Sequence, residues 1–427
     1  MGWIKETLKF KGDKTLWYVI IGLMVASVMV VYSSTGSLAY RSHSGDTSYF
    51  LIKQLVLIFG CFIVMFTLQS MHYKFFLGVA FATLFVSLIL LLYAKFAGTT
   101  LNDTERWVRI PFVGLTFQPS EMAKLGVIMY LARIISFSQT EYFCDDQVLY
   151  KVLVFIVPVI VIIFLDNFST SALLGAVCLT MLFIGRLRIK TLALIIGSLV
   201  AGVVMVLLLS HAVPKIGEIG RIETAKARVD RFFNPGSASS DDTYQSDQAK
   251  IAVAKGGLLG EGPGNSMQRN FLPHPYSDFI FAIIIEEYGL IGAGVVVLLY
   301  LIILYRVGVI VRRCTRIFPA LLVSGLGLSL VFQALTNMGV CVGLFPVTGQ
   351  PLPLISLGGT SLLFTSAALG MILSVSYTFS EEGEKDAQAR LRRKTERRTR
   401  RGSGELSPSG ELRVESGEWR PSGENEE

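Results

Sequence analysis

The sequence predicts an all-α polytopic membrane protein, with ten transmembrane helices and a large extracytoplasmic loop between the seventh and eighth. Three observations carry this. Of the 427 residues, 52% are hydrophobic and only 17% charged, far less charge than a soluble chain of this length holds. The apolar residues gather in long runs, and about 20 of them cross the hydrocarbon core as a helix. Lys and Arg collect in particular short loops, which sets the orientation.

Ten runs meet the length requirement: 15–33, 50–68, 74–94, 119–137, 150–166, 168–185, 190–210, 278–304, 317–340 and 353–377. The fifth and sixth are parted only by Asp166-Asn167. Lys5, Lys9, Lys11 and Lys14 precede the first run, which lacks a small-residue cleavage site and so reads as a retained span rather than a signal peptide. These lysines, the Arg186-Leu-Arg188-Ile-Lys190 loop and the Arg306, Arg312, Arg313 and Arg316 group fall on one side of a ten-span chain. Residues 341–352, on the other side, contain no base. Both termini are therefore expected in the cytoplasm and residues 211–277 outside.

The expected domains are a cytoplasmic terminus (1–14), a membrane domain (15–380) and a tail (381–427). The tail carries Arg390, Arg392, Arg393, Lys394, Arg397, Arg398, Arg400 and Arg401 before a Ser/Gly/Glu/Pro-rich end, and is expected to be disordered. Its bases either meet anionic membrane lipids or serve only to anchor the topology. The net charge of +7 lies in loops and tail, so it does not signal nucleic acid. Five cysteines are scattered without disulfide or metal spacing, and His43, His72 and His211 have no cluster around them.

The polar residues within this apolar frame are few. Glu105-Arg106-Trp107-Val-Arg109 precedes Gln118-Pro119-Ser120-Glu121-Met-Ala-Lys124. Pro119 suits a first helical turn. Glu121 and Lys124, three apart, share a helix face and can pair within the membrane. The pair either fixes packing or forms the charged wall of a cavity. In the long loop, residues 222–235 alternate bases with apolar residues, as an interfacial helix does. A second amphipathic segment contains Tyr244, Gln245 and Gln248. Gly256-Gly-Leu-Leu-Gly260-Glu-Gly262-Pro-Gly264 follows; with no strand before it and no Lys-Ser/Thr after it, it is a surface turn and not a nucleotide loop.

The chain is organised around residues 271–287, where this loop enters the eighth run. Asp278 stands at the entry, as an N-cap or as a functional carboxylate. Glu286 and Glu287 lie too deep to be caps, and ionisable residues at membrane depth mark function by default. Finally, the Pro- and Gly-dense stretch 337–361 must break helix at membrane depth, which is tolerated only inside protein or along a watery cavity.

Together these motifs resemble the SEDS family, the FtsW and RodA proteins of bacterial cell-wall synthesis, over about residues 15–377. The resemblance rests on Arg106-Trp107, Gln118-Pro-Ser-Glu121 with Lys124, Arg228 with Phe-Asn-Pro235, and Tyr244-Gln245 with Gln248. It continues through the glycine-rich turn, Leu272-Pro273, Ser277-Asp278-Phe-Ile-Phe, Glu286-Glu287-Tyr-Gly289, Asn337-Met-Gly339, Pro346-Val-Thr-Gly349 and Leu352-Pro-Leu-Ile-Ser356-Leu-Gly-Gly-Thr360-Ser361. Gly262-Pro-Gly-Asn-Ser-Met-Gln268 is closer to the FtsW branch.

The resemblance implies a peptidoglycan glycosyltransferase that polymerises lipid II at the outer face, with Asp278 as catalytic residue. Arg106, Trp107, Glu121, Lys124, Arg228, Gln245, Gln248, Ser277, Glu286, Ser356 and Thr360 would surround the substrate. Implied partners are a class B penicillin-binding protein and other division proteins. A base must take a proton from the acceptor 4-hydroxyl. The charge growing on the diphosphate needs Arg, Lys or a divalent cation, Mg or Mn. With no second carboxylate required as nucleophile, the anomeric carbon inverts. Two departures stand out. His274 replaces the family's usual carboxylate, and the family's Pro-Asp-x-Gly-Thr-Ala turn reads Leu165-Asp-Asn-Phe-Ser-Thr-Ser171, so no role is carried to it. A lipid II transporter and a non-catalytic scaffold are the competing readings.

Overall fold

The computed structural model describes residues 10–36, 48–97, 99–101, 104–109, 116–140, 144–145, 147–212, 240–272 and 275–403. Helices occupy all ten apolar runs. They are α1 (Lys14–Ser34), α2 (Ser48–Gln69), α3 (Tyr73–Ala97), α4 (Pro119–Phe137), α5 (Gln147–Asp166, with a π-helical turn at Val152–Ile156), α6 (Phe168–Ile184) and α7 (Ile189–Ala212). Then come α8 (Ser240–Gly256) in the long loop, α9 (Ile280–Arg313), α10 (Ile317–Cys341) and α11 (Thr360–Ser403). Seven of these are long and apolar enough to cross a membrane, so the protein is multi-pass. Helix α4, which carries Glu121, Lys124 and Arg133, is not among the seven. Three short antiparallel strands, β1 (Thr99–Leu101), β2 (Thr104–Arg109) and β3 (Thr116–Phe117), lie between α3 and α4, where the hydropathy pattern predicts no element.

Helices α4 and α10 are central. Nearly every side chain of α4 from Pro119 to Ile135 is buried, and α10 packs on α4, α6 and α9. Helices α2 and α3 instead expose large apolar side chains such as Ile52, Phe59, Phe75 and Tyr93, as a lipid-facing surface requires. Gly126 lets α4 cross α3 closely: a Cβ there would lie 3.0 Å from the Leu84 Cα. At the end opposite the long loop, buried Asp13 caps α1 by accepting from the Leu16 N–H at 2.9 Å, and also pairs with Arg306 of α9. The capping and the ion pair use one carboxylate, which ties the chain start to the α9 end.

Two expected boundaries differ. The tenth run begins at 353, but helix begins only at Thr360, because Gly349, Pro351, Pro353, Gly358 and Gly359 hold 342–359 unwound. Helix α9 begins at Ile280 and breaks at Gly289, whose φ of +67 and ψ of −172 are not helical. The chain divides into two compact units, Met1–Phe379 and Ser380–Glu427. In the second, residues up to Ser403 are helical where the composition predicts disorder; residues 404–427 lie outside the described part.

Candidate active site

Asp278 sits in a turn just before α9 and does not cap it. The cap position is Phe279, and no side chain fills the capping role. Its N-cap reading therefore falls away. The Ser277 hydroxyl donates to Asp278 Oδ1 at 2.8 Å, and Oδ2 lies beside Gly349, where a Cβ would come within 3.5 Å of it. Gly349 adopts φ +65, so a glycine there serves both the turn and the close approach. Both Ser277 and Asp278 are half-buried. Next to them, burial raises the Tyr276 phenol above its ordinary value, and the Asp278 charge adds to the rise.

The backbone beneath Asp278 is held from across the bundle. Three consecutive carbonyls accept hydrogen bonds: Tyr276 from the Leu357 N–H at 3.0 Å, Ser277 from the Ser356 hydroxyl at 2.7 Å, and Asp278 from the Asn337 amide at 2.8 Å. The unwound stretch 350–355 is suspended in a similar way. Its carbonyls accept from Asn337 (Gln350, 2.7 Å), Gln333 (Pro351, 3.0 Å), Tyr300 (Pro353) and Ser27 (Ile355, 2.7 Å). Non-helical backbone at membrane depth is stable only when its polar groups are satisfied in this manner.

Gln333 also joins this loop to the charged pair. Glu121 and Lys124 lie 2.9 Å apart with side chains 7% exposed, and the Lys124 ammonium donates to Gln333 Oε1 at 3.0 Å. Glu121 also meets the Ser361 hydroxyl at 3.4 Å. The pair lines an open-sided cleft between α4, α10 and α11, with Ser329, Gln333 and Thr365 as its other polar groups and leucines and Phe364 as walls. The pair is thus a buried ion pair that also lines the cleft. Thr360, at the start of α11, is buried, and its hydroxyl has no partner among the described residues.

The buried acids of α9 do different work. Glu286 is fully buried and accepts from the Ser266 hydroxyl, the Met267 N–H at 3.1 Å and the Gln268 N–H at 3.3 Å. It anchors the turn before Gln268–Asn270. Glu287 accepts from the Ser33 hydroxyl of α1. Ser356 is likewise engaged within the protein, accepting from the Leu352 N–H at 2.8 Å while donating to the Ser277 carbonyl. The glycine-rich turn, expected as a plain surface feature, docks into the break in α9. Glu261 and Gly262 N–H groups donate to the Glu286 and Glu287 carbonyls, while Leu290 and Ile291 N–H groups donate to the Gly257 and Leu258 carbonyls. The break and the turn satisfy each other's backbone.

Other expected site residues are less fully placed. Gln245 and Gln248 are half-buried on α8, which packs on α9 and α10. Arg106 and Trp107 lie on β2, with their side chains outside the described part. Arg228, His274 and the expected 222–235 helix also lie outside it. Gln333, Gln350 and Thr170 are missed by the sequence reading, although Gln350 donates to Thr170 in the turn left without a role. One signal was available: Gln333 and Asn337 are four apart in an apolar run and so share a face. Among the described residues no three His, Cys, Asp or Glu side chains converge.

The fold and site define a polytopic membrane protein with a carboxylate fixed at a helix entry and linked through one helix face to a charged cleft. The pattern of the cell cycle protein family of FtsW, RodA and SpoVE matches residues 13–381, and the chain belongs to that family. Relatives include a probable peptidoglycan glycosyltransferase FtsW of Dichelobacter nodosus, 33% identical over 83% of this chain and 87% of its own. Another, of the same name, comes from Coxiella burnetii, 29% identical over 87% and 98%. Among solved structures, a chain of a peptidoglycan synthase complex that coordinates polymerisation and crosslinking aligns with TM-score 0.65 and 24% identity, over 86% of this chain and 98% of that one. RodA of Thermus thermophilus aligns with TM-score 0.58 and 24% identity, over 86% and 96%.

Proposed function

We propose that this protein is a peptidoglycan glycosyltransferase of the cytoplasmic membrane that polymerises lipid II into glycan strands at the outer face, in cell division. The observation that carries the reading is Asp278: its backbone is pinned at three successive carbonyls, while its carboxylate lies at the loop end of the bundle. Relatives at 29% and 33% identity bear the name of that activity. In this orientation both termini face the cytoplasm, ten helices span the bilayer and the 211–277 loop is extracytoplasmic.

Asp278 acts as the general base. It takes the proton of the acceptor 4-hydroxyl as that oxygen bonds to the anomeric carbon of the donor. The bond from that carbon to the diphosphate oxygen breaks, its electron pair leaves with the undecaprenyl diphosphate, and the centre inverts. Lys124 uses two of its three donors on Glu121 and Gln333, which leaves one for an anion in the cleft. Arg106 and Arg228 supply further positive charge, and the cleft's leucines suit a prenyl chain. A divalent cation, Mg or Mn, would have to be held mainly by phosphate oxygens of the substrate and water, since among the described residues no cluster of His, Cys, Asp or Glu could hold it. Bound there, it would neutralise the diphosphate. The partner is a class B penicillin-binding protein transpeptidase.

Lipid II polymerisation in detergent separates the readings. No bilayer divides two compartments there, so a transporter has nothing to do and a scaffold makes no polymer. Glycan strands from the protein with its transpeptidase, the latter blocked in crosslinking, are the expected outcome. Lipid II left intact under conditions where another polymerase consumes it would refute the proposal.

A further inference from the structure

Asn337 makes a set of contacts that the motif does not explain. It is 1% exposed on α10, and its amide nitrogen donates both hydrogens, to the Asp278 and Gln350 carbonyls at 2.8 and 2.7 Å. Its own oxygen has no partner among the described residues. Two carbonyl acceptors fix the amide orientation, since the flipped form would set oxygen against oxygen. One side chain thus bridges the segment that carries Asp278 and the unwound loop that carries Gly349. Ser356 forms a second bridge between the same two segments, joining Leu352 to Ser277.

Building on the glycosyltransferase reading, we propose that Asn337 and Ser356 are positioning residues that set the Asp278 carboxylate against the acceptor hydroxyl without touching substrate. Two segments, whose Ser277 and Ser356 are 79 residues apart in sequence, have to meet at one carboxylate. Neither segment is helical at the meeting point, and a backbone hydrogen bond from the Leu357 N–H to the Tyr276 carbonyl joins them directly. The two polar side chains supply the further links that fix their separation. Displacing a reacting group by about 1 Å costs roughly a hundredfold in rate, and this is the precision that the bridges provide. Gln333, one turn earlier on the same face, holds the Pro351 carbonyl and Lys124, and so keeps the loop in register with the cleft.

The test compares full-length Asn337→Asp, Asn337→Leu, Ser356→Ala and Ser356→Thr with wild type. It reads lipid II polymerisation in the presence of the transpeptidase and hydrogen–deuterium exchange of each protein without substrate. Asn337→Asp keeps the shape and turns an oxygen toward two carbonyls; Asn337→Leu removes both donors. Both should lower kcat about a hundredfold with KM within about twofold, and raise exchange at 276–280 and 348–357 only. Ser356→Ala should do the same more weakly, and Ser356→Thr, which keeps the hydroxyl, should restore kcat. Near-wild-type kcat in both Asn337 variants would overturn the proposal. So would exchange that rises throughout the helices with kcat and KM failing together, which marks a merely structural residue. If wild type makes no polymer, the enzyme reading fails by itself. The exchange pattern then decides alone, and unchanged protection at 276–280 would overturn the positioning role.

Discussion

Glu121 and Lys124 show what a pair of residues does at this depth. Each is nearly buried, and removing one partner strands a charge in a low-dielectric site. Lys124→Met should therefore destabilise the fold by about 3–5 kcal/mol. Glu121→Gln with Lys124→Met should be more stable than Lys124→Met alone, as read by thermal unfolding in detergent. A double variant less stable than the single would contradict the pairing. The pair was legible in the sequence because three residues on a helix return to one face. The commitments of Ser356 and Glu286 were not. The partners of Ser356 include Ser277, 79 residues away, and those of Glu286 lie in a loop without periodicity, so no local pattern points to them.

Helix α9 shows the element scale. Its break at Gly289 is a docking joint. A Cβ on Gly289 would lie 2.2 Å from the Leu258 carbonyl oxygen, and one on Gly260 would lie 2.3 Å from that of Glu287. Both glycines also hold positive φ. Gly289→Ala and Gly260→Ala should each cost more than about 3 kcal/mol, through strain and lost backbone pairing. Gly294→Ala, on the same helix with open space around its Cβ, should change stability by less than about 1 kcal/mol. Equal effects at the three sites would remove the joint. Ten apolar runs became ten helices because an unpaired backbone is so costly in lipid. The break before Thr360 was legible in the Pro and Gly density of 337–361, but the point where helix resumes was not, because Leu352, Leu354 and Ile355 are as apolar as helix residues, while donors that satisfy that stretch sit on other elements. The short strands between α3 and α4 offered too few residues for a period to appear.

At the scale of the whole molecule, the proposed orientation would put the site on the side of its proposed substrate. In a variant without native cysteines, Leu344→Cys, 69% exposed between α10 and α11, should react in whole cells with a maleimide that does not cross membranes. Phe10→Cys, 57% exposed at the opposite end, should react only after the cells are opened. The reverse pattern would invert the topology and place Asp278 in the cytoplasm. The central claim, that Asp278 performs the chemistry, is tested most directly by polymerisation of lipid II. Wild type, Asp278→Asn and Asp278→Ala would be purified with the transpeptidase and compared. The account predicts glycan strands from wild type and none from either variant, with folding and transpeptidase binding unchanged. Strands of normal length and rate from Asp278→Asn, which has lost the ability to accept a proton, would contradict it.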